Sequence, residues 1–498
     1  MRFGLRFSPL LLKLAVLLVL LMLLSIPLGK VSSLVAERSE SRDGAMRELA
    51  DTYTGAQTLF APLLVVPFVE SWSEPVFDDK GRKTGEAQRS VRAARLLYPQ
   101  QLRIDGSLAP QARYRGIFEL MFYRFDGRLE GRMDSMQLPK AQHPGGRVTM
   151  GAPHLALTMS DVRGIEGMPQ VLLDGSTLRF EASVPNLNGS RGELQGIHAP
   201  LDAATTKALF RGEALTFAMD LKLTGQQKFS VVPASNETEV HLKSHWPHPS
   251  FDGKFLPVKR SIDDQGFDAI WRVSALNSSA IDQLTAYWDN ATLWDECDSA
   301  AVDCTRSAAR RSAPSETVSS TDIDRFGVSL VQPLDPYYLT HRAAKYGMLF
   351  IGLVLMGAFL FELLARLRLH PVQYALVGLS IALFFLLLLA LSEKLPFWQA
   401  YAASALASVT LLSIYFSAVL GGWRRGLGLG AFCAALYAAL YASLASERHA
   451  LLLGALLTFG MLALLMLMTR HVDWWALAKL PAPAAPSDGN SLPAARQR

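Results

Sequence analysis

Residues 10–28 read LLLKLAVLLVLLMLLSIPL, an apolar run in which Lys13 is the only charged residue. A helix of this length, rising 1.5 Å per residue, extends about 28 Å and nearly crosses the ~30 Å hydrocarbon core of a bilayer. A helix also pairs every backbone N–H and C=O within itself, as hydrocarbon requires. The run therefore predicts a membrane-spanning helix.

Five more apolar runs crowd the last third of the chain, at residues 346–364, 372–391, 397–420, 427–444 and 450–468. A buried helix of a soluble protein would be shorter and would show a polar face. We number the runs as spans one to six. The predicted fold class is a membrane α-helical bundle of six spans, one N-terminal and five C-terminal, with a large mainly-β periplasmic domain.

Basic residues near the ends of the spans predict the orientation. They are Arg2, Arg6, Arg366, Arg368, Arg424, Arg425, Arg470, Lys479, Arg496 and Arg498. Six spans put both termini and all of these residues on one side, which the positive-inside rule assigns to the cytoplasm. We therefore expect a multi-pass protein of the bacterial inner membrane with both termini cytoplasmic. The alternative for span one is a cleaved signal peptide, but its apolar run is long and no A-x-A site follows it.

The segment between the first two spans predicts a β-rich domain. Residues 215–223, LTFAMDLKL, alternate apolar and polar side chains as a half-buried strand does. Asp-Gly, Gly-Gly and Asn-Gly pairs, including Asp105-Gly106 and Asp126-Gly127, predict turns between many short strands. The expected architecture is a sandwich or an open barrel. The expected boundaries are an anchor at 1–29, the β domain at 30–344, a bundle at 345–469 and a cytoplasmic tail at 470–498.

Composition limits the partners that can be expected. The formal net charge of +5 is small for 498 residues and comes partly from the basic flanks of the spans. These flanks indicate contact with lipid headgroups, and no basic patch interleaved with aromatic residues indicates nucleic acid. The lipid bilayer is therefore the first expected partner, and no cofactor is predicted.

Two groups of residues have side chains suited to metal binding or redox chemistry. Cys297 and Cys304 lie in a predicted flexible loop at about 295–321, where an oxidising periplasm would permit a disulfide; two unpaired thiols are the alternative. His241, His245 and His248 have helical spacing, but Pro247 and the strand-like sequence argue against a helix. On a strand His241 and His245 would be about 13 Å apart. No metal site and no catalytic residue is predicted.

The segment 246–251, WPHPSF, is a candidate interaction surface. Two prolines fix a short extended stretch between Trp246 and Phe251, with His248 at its tip. One interpretation is a rigid corner whose aromatic rings fill the core. The other is a recognition surface presented by Trp246, His248 and Phe251.

Polar and small residues within the spans suggest packing. Glu362 is the one acidic residue inside a span, and its expected partner is Arg366, one turn later; a proton site is the alternative. Small residues recur every four positions in span five, and span four carries a similar set. Such stripes predict close helix packing within the bundle or a homo-oligomer seam.

Several longer motifs resemble the CreD family of bacterial inner-membrane proteins. They are SVVP at 230–233, WPHPSF at 246–251, FLP at 255–257 followed by Lys259-Arg260, YLTHRAAKY at 338–346, Phe361-Glu362, LHPVQY at 369–374, LSE at 391–393 and RHVDW at 470–474. The resemblance covers nearly the whole chain and departs at 295–321. It implies a two-component regulon that responds to carbon source and envelope stress, including β-lactams, and an association with colicin tolerance. It implies no reaction.

The expected function is accordingly that of a non-enzymatic envelope protein whose periplasmic domain engages another envelope component. Two alternatives remain at this stage. One is a transporter or channel formed by the bundle, which usually carries ionisable residues at mid-depth. The other is a periplasmic hydrolase of cell wall or lipid, whose groups could be distant in sequence.

Overall fold

The computed structural model describes residues 9–77, 82–116, 118–185, 187, 194–291, 322–330, 336–365, 369–419, 422–445 and 450–470. The chain divides into two compact units, one of residues 1–41 with 334–498 and the other of residues 42–333. The first unit is α-helical and the second is mainly β. The predicted combination of apolar membrane helices with a large β domain is therefore confirmed.

The described residues contain eight α-helices: α1 (Pro9–Thr52), α2 (Ala203–Phe210), α3 (Ala280–Ala291), α4 (Pro336–Ala365), α5 (Pro371–Ser392), α6 (Phe397–Val419), α7 (Trp423–Ala445) and α8 (Ala450–Thr469). Within the described parts of the chain, five segments are long and apolar enough to cross a membrane: Leu12–Thr52, Tyr338–Glu362, Pro371–Ser392, Phe397–Val419 and Trp423–Leu444. Helix α8 coincides with predicted span six. The count of six spans stays a prediction.

Helix α1 is one continuous helix of 44 residues. The first part is the apolar run, and the charged segment after it prolongs the same helix to Thr52, as its Glu-, Arg- and Ala-rich sequence leads one to expect. Leu24, Leu28, Val31 and Val35 are buried on one side at spacings of three and four residues. Leu24 and Leu28 of this face pack against glycines of α5 and α4.

Small residues bring α6 and α7 close together. A Cβ added to Gly426 would lie 2.6 Å from Ser417 Cα, and one added to Gly430 would lie 3.1 Å from Ser413 Cβ. Contacts this short leave no space for a methyl group between the two backbones. The predicted small-residue packing face is therefore covered by a helix of the same chain, and homo-oligomerisation through it stays a prediction.

The second unit contains two large sheets. The strands are β1 (Gln57–Phe60), β2 (Leu63–Phe77), β3 (Lys83–Leu97), β4 (Gln101–Arg115), β5 (Phe118–Met133), β6 (Arg147–Met150), β7 (His154–Met159), β8 (Gln170–Leu173), β9 (Ser176–Arg179), β10 (Glu181–Ala182), β11 (Gln195–Pro200), β12 (Leu215–Gln226), β13 (Lys228–Val232), β14 (Glu237–Ser244), β15 (Pro249–Gly253), β16 (Lys259–Asp263), β17 (Gly266–Ser274) and β18 (Phe326–Leu330). One sheet has the order β10-β11-β7-β1-β13-β18-β15, with β2 joined to β3, β6 and β7. The other has the order β16-β17-β14-β4-β5-β12-β8-β9.

The two sheets enclose one hydrophobic core, the arrangement of a sandwich. Buried residues of both sheets form a single cluster. The rings of Phe125 and Phe229, one from each sheet, stack with centroids 4.6 Å apart, and Trp271 stacks on Phe326 at 5.6 Å. Strand β12 alternates buried and exposed side chains from Leu215 to Leu223, as its sequence predicts.

Two of the predicted turns are wrong. Asp105-Gly106 lies inside β4 and Asp126-Gly127 lies inside β5, where Gly106 and Gly127 are directly paired across the two strands. The ring of Phe125 lies over both glycines. A Cβ at either position would therefore come within 2.9 Å of the ring. These glycines therefore make space for an aromatic ring and do not reverse the chain.

Candidate functional site

A partly buried ion pair joins three helices in the α-helical unit. Glu362, near the end of α4, is 6% exposed and pairs with Lys13 of α1. Its carboxylate also accepts a hydrogen bond from the Tyr374 hydroxyl of α5 (2.5 Å) and one from the backbone N–H of Leu369 (3.0 Å). Lys13 Nζ also lies 5.8 Å from the centroid of the Tyr374 ring. The pair is thus supported by further hydrogen bonds, as a buried ion pair must be.

Glycines on α4 and α5 allow the first helix to pack closely against the bundle. A Cβ at Gly347 would lie 2.7 Å from Leu28 Cδ1, and one at Gly378 would lie 3.0 Å from Leu24 Cδ2. Two leucines of α1 therefore fill the spaces that two glycines leave. Arg38, farther along α1, lies 3.6 Å from a carboxylate oxygen of Glu393, which follows α5. The lone N-terminal span is consequently an integral part of the bundle.

The segment 246–251 forms a corner between β14 and β15. Trp246 and Phe251 are partly buried and pack against the core, and the Phe251 ring meets those of Phe267 and Trp271 edge-on. The Trp246 indole N–H donates to the carbonyl oxygen of His248 (3.1 Å), whose side chain is exposed. The geometry thus contains both the rigid corner and an exposed tip at His248.

His241 bridges two carboxylates on the outer face of the second sheet. Its Nδ1 lies 3.0 Å from Asp105 Oδ1 and its Nε2 lies 2.9 Å from Asp268 Oδ1. Burial opposes ionisation of Asp105, but hydrogen bonds from Arg103 and His241 outweigh it and lower the pKa of this carboxyl. The two imidazole nitrogens are therefore engaged by residues of the neighbouring strands.

A charged depression of about 640 Å³ lies on the same face, lined by Arg103, Glu130, Glu239 and Arg272 among others. The carboxylates there are paired with guanidinium groups. Arg272 Nε lies 2.6 Å from Glu239 Oε2, and Arg128 Nε lies 2.5 Å from Glu130 Oε1. These carboxylates are therefore engaged in solvent-exposed ion pairs, which leaves them poorly placed for acid–base chemistry.

Glu70 shows a different arrangement on the first sheet. The 3% exposed carboxylate accepts hydrogen bonds from the backbone N–H groups of Gln142 (2.7 Å) and His143 (2.8 Å). The hydrogen bond from the His143 backbone is the main reason why the pKa of Glu70 is lowered. The His143 ring stacks on Trp72 with centroids 3.7 Å apart. One oxygen of this carboxylate, Oε1, therefore fixes the loop before β6.

Comparison with known proteins identifies the family. Residues 9–475 match the sequence model of the family described as "Inner membrane protein CreD". The chain belongs to the CreD family. It is also 32% identical over 471 residues to the inner membrane protein CreD of Escherichia coli (strain K12), a match that covers 95% of each chain. With its apolar helices, this membership makes the chain a multi-pass inner membrane protein.

Two solved structures align with this chain only weakly. Both are of an M1 zinc metallopeptidase from Deinococcus radiodurans, one of them a mutant with a bound peptide substrate, and they align with 35% of this chain and 38% and 39% of their own. The sequence identity is 8% and the TM-score 0.19 in both cases. A TM-score this low supports no conclusion about fold or function.

The predicted site residues differ in how far the structure describes them. Trp246, His248 and Phe251 are placed at one corner, and their role as an interaction surface stays a prediction. Cys297, Cys304 and Arg366 lie outside the described residues. Glu362 has Lys13 as an ion-pair partner, which the sequence did not predict. The signal was present, however, because Lys13 and Glu362 are lone opposite charges in apolar spans, and such charges tend to pair.

Proposed function

We propose that this CreD-family protein is a non-enzymatic envelope component whose β domain lies in the periplasm and engages another protein of the envelope. Both termini lie in the cytoplasm. The protein acts in an envelope-stress response under two-component control, which includes the response to β-lactams and the tolerance of colicins. The observation that carries the proposal is the layout: a large β sandwich inserted between the first membrane helix and the rest of one helix bundle.

The packing of α1 supports an anchoring role for the helices. The first helix contacts the others along its length, through Lys13, Leu24, Leu28 and Arg38. Both ends of the β domain's segment are therefore attached to the same bundle. This connection at both ends supports a role of the helices as the membrane anchor of the domain.

The corner at 246–251 is the surface we assign to the partner. Among the described residues, β15 pairs only with β18, so it is an edge strand of the first sheet. Edge strands present free backbone N–H and C=O groups, which a partner's strand can pair with. His248 and Ser250 are exposed at this edge, while Trp246 and Phe251 hold it against the core.

Photo-crosslinking in living cells tests this assignment. Benzoylphenylalanine is placed at His248 or at Ser250 in the full chain, and at Thr177 as a control on the edge strand of the other sheet. We expect an adduct with an envelope protein from the first two positions and none from Thr177. Absence of an adduct at both His248 and Ser250, or the same adduct from all three positions, would contradict the proposal.

One observation favours a second candidate, a proton-coupled transporter. Glu362 is an ionisable residue buried among membrane helices, a common mark of an ion pathway. Proteoliposomes containing the full chain and a pH-sensitive dye inside would reveal proton flux. Flux that disappears in Glu362→Gln while the variant remains folded in the liposomes would favour the transporter, and equal leakage in the unchanged and variant proteins would leave the ion pair with a packing role.

A further inference from the structure

Three side chains with metal-binding chemistry lie in a row across adjacent strands of the first sheet. In β10 and β11, Glu181 is paired directly with His198. In β11 and β7, His198 is paired with Ala156, two residues after His154. Directly paired residues, and residues two apart on a strand, share one face of a sheet. Glu181, His198 and His154 therefore follow one another on the same face.

His154 offers a buried nitrogen that has no partner. The residue is 4% exposed, and its Nε2 makes no hydrogen bond. The backbone of Ala152 lies within hydrogen-bonding reach of the same ring. A neutral imidazole with one nitrogen free of hydrogen bonds is the form that binds a metal ion.

His198 also has a ring nitrogen available for a metal ion. Its Nδ1 lies 2.7 Å from the carbonyl oxygen of Ser183, and only an N–H can donate to that oxygen. In the neutral ring the lone pair is therefore on Nε2, which lies 3.7 Å from Glu181 Oε2. This separation is long for a hydrogen bond. It is close to the ~3.3 Å between two ligands of a tetrahedral zinc ion with bonds of about 2.0–2.1 Å.

The two imidazole rings also lie close together. Their centroids are 5.3 Å apart and their planes are inclined by 78°. Exposure increases along the row, from 4% at His154 to 12% for the His198 side chain and 65% for that of Glu181. The row therefore has a buried inner end and an open outer end from which an ion can enter.

We propose that His154, His198 and Glu181 bind a divalent transition-metal ion of the zinc and copper class, with both Nε2 atoms and the Glu181 carboxylate as ligands. Imidazole nitrogen selects such ions over Mg²⁺ and Ca²⁺, which prefer oxygen ligands. Within the described parts of the chain no three His, Cys, Asp or Glu side chains are already close enough to hold an ion together. Binding therefore includes a rotation of the exposed Glu181 side chain toward the two rings.

Calorimetric titration of the full chain with ZnCl₂ tests the proposal. The protein is used in detergent micelles, without a polyhistidine tag and after treatment with a chelator. We expect one Zn²⁺ per chain, and we expect His198→Asn and Glu181→Gln each to weaken its binding at least about tenfold. Cu²⁺ bound to the unchanged protein should show nitrogen hyperfine structure in its electron paramagnetic resonance spectrum, and MgCl₂ should give no binding heat.

An exposed histidine elsewhere in the β domain provides the control. His245→Asn removes an imidazole outside the row and should leave the zinc affinity unchanged. Because Glu181 is at the surface, Glu181→Gln should fold normally even if substitutions of the buried His154 do not. The proposal is wrong if the unchanged protein binds no Zn²⁺, if both His198→Asn and Glu181→Gln retain the full affinity, or if His245→Asn loses as much as they do.

Discussion

Lys13 and Glu362 are 349 positions apart in the chain and form an ion pair within one helix bundle. The pair connects the first apolar helix to the helices that follow the β domain. Its carboxylate is further held by the Tyr374 hydroxyl and the Leu369 backbone N–H. A contact between segments so distant in sequence can form only after the chain beyond the β domain has been made, as far as α4.

Removing one partner of this pair should destabilise the bundle. Glu362→Gln keeps its one oxygen for the Leu369 N–H, turns an amide NH₂ toward the Tyr374 hydroxyl, and leaves Lys13 without its counter-charge. Breaking a fully buried pair in this way costs about 3–5 kcal/mol, and the partial exposure of Lys13 should reduce this cost. The double variant Lys13→Met with Glu362→Gln should recover most of the loss. Thermal unfolding of the full chain in detergent measures both effects. Lys394→Met, which removes an exposed charge, is the control; equal stability of Glu362→Gln and this control would show that the pair contributes nothing.

A methyl group at Gly426 should force α6 and α7 apart. The added Cβ would lie 2.6 Å from Ser417 Cα, so backbone must move, at a cost of about 1–3 kcal/mol. Gly428→Ala, two residues later on the same helix, meets only the Phe361 ring at 3.6 Å and should be neutral or slightly stabilising. The measurement is the thermal midpoint of each variant. Equal midpoints would refute the close packing described for α6 and α7.

Lowering the pH should reduce the stability of the β domain over a pH range that the pKa of His154 determines. Folding lowers the pKa of this residue from 6.5 to about 4, so the unfolded chain binds the extra proton between these values. Stability is therefore full above about pH 6.5 and falls as the pH decreases toward 4, by roughly 3 kcal/mol at most. Carboxyl groups whose pKa is lowered in the folded protein, such as that of Glu70, cause a further loss of stability when they are protonated at lower pH. Unfolding midpoints from pH 7.5 to 4.5 should fall less steeply in His154→Gln, and identical slopes would contradict this assignment.

Gly106 should tolerate no side chain while Phe125 is present. An alanine Cβ there would lie within 2.9 Å of the Phe125 ring and should cost about 1–3 kcal/mol of domain stability. The second change Phe125→Leu should reduce that penalty in the double variant. Gly85→Ala in β3 meets nothing within 4 Å and serves as the matched control. Chemical unfolding followed by tryptophan fluorescence reports the difference, and equal midpoints for Gly106→Ala and Gly85→Ala would contradict the packing.

Gly106 and Gly127 show which features of the fold can be predicted from sequence patterns and which cannot. The apolar runs and the alternation of β12 could be predicted, because each depends on residues close together in the chain. Asp105-Gly106 looks like a turn locally, but the decisive fact is the Phe125 ring that packs over it. The partner of Glu362 was missed for a similar reason, since nearby Arg366 is visible in sequence and Lys13 becomes a neighbour only through the fold. The row from Glu181 to His154 likewise depends on the pairing of three strands.

Our central proposal places the β domain outside the inner membrane and both termini inside. Single cysteines at Thr177, on the exposed face of β9, and at Ser487, in the C-terminal tail, test it in a chain with Cys297→Ser, Cys304→Ser and Cys433→Ala. Spheroplasts, whose inner membrane is intact, are treated with a membrane-impermeant maleimide. We predict that the cysteine at 177 is labelled in the intact spheroplasts and that the one at 487 is labelled only after lysis. Protection of position 177, or labelling of position 487 before lysis, would contradict the account.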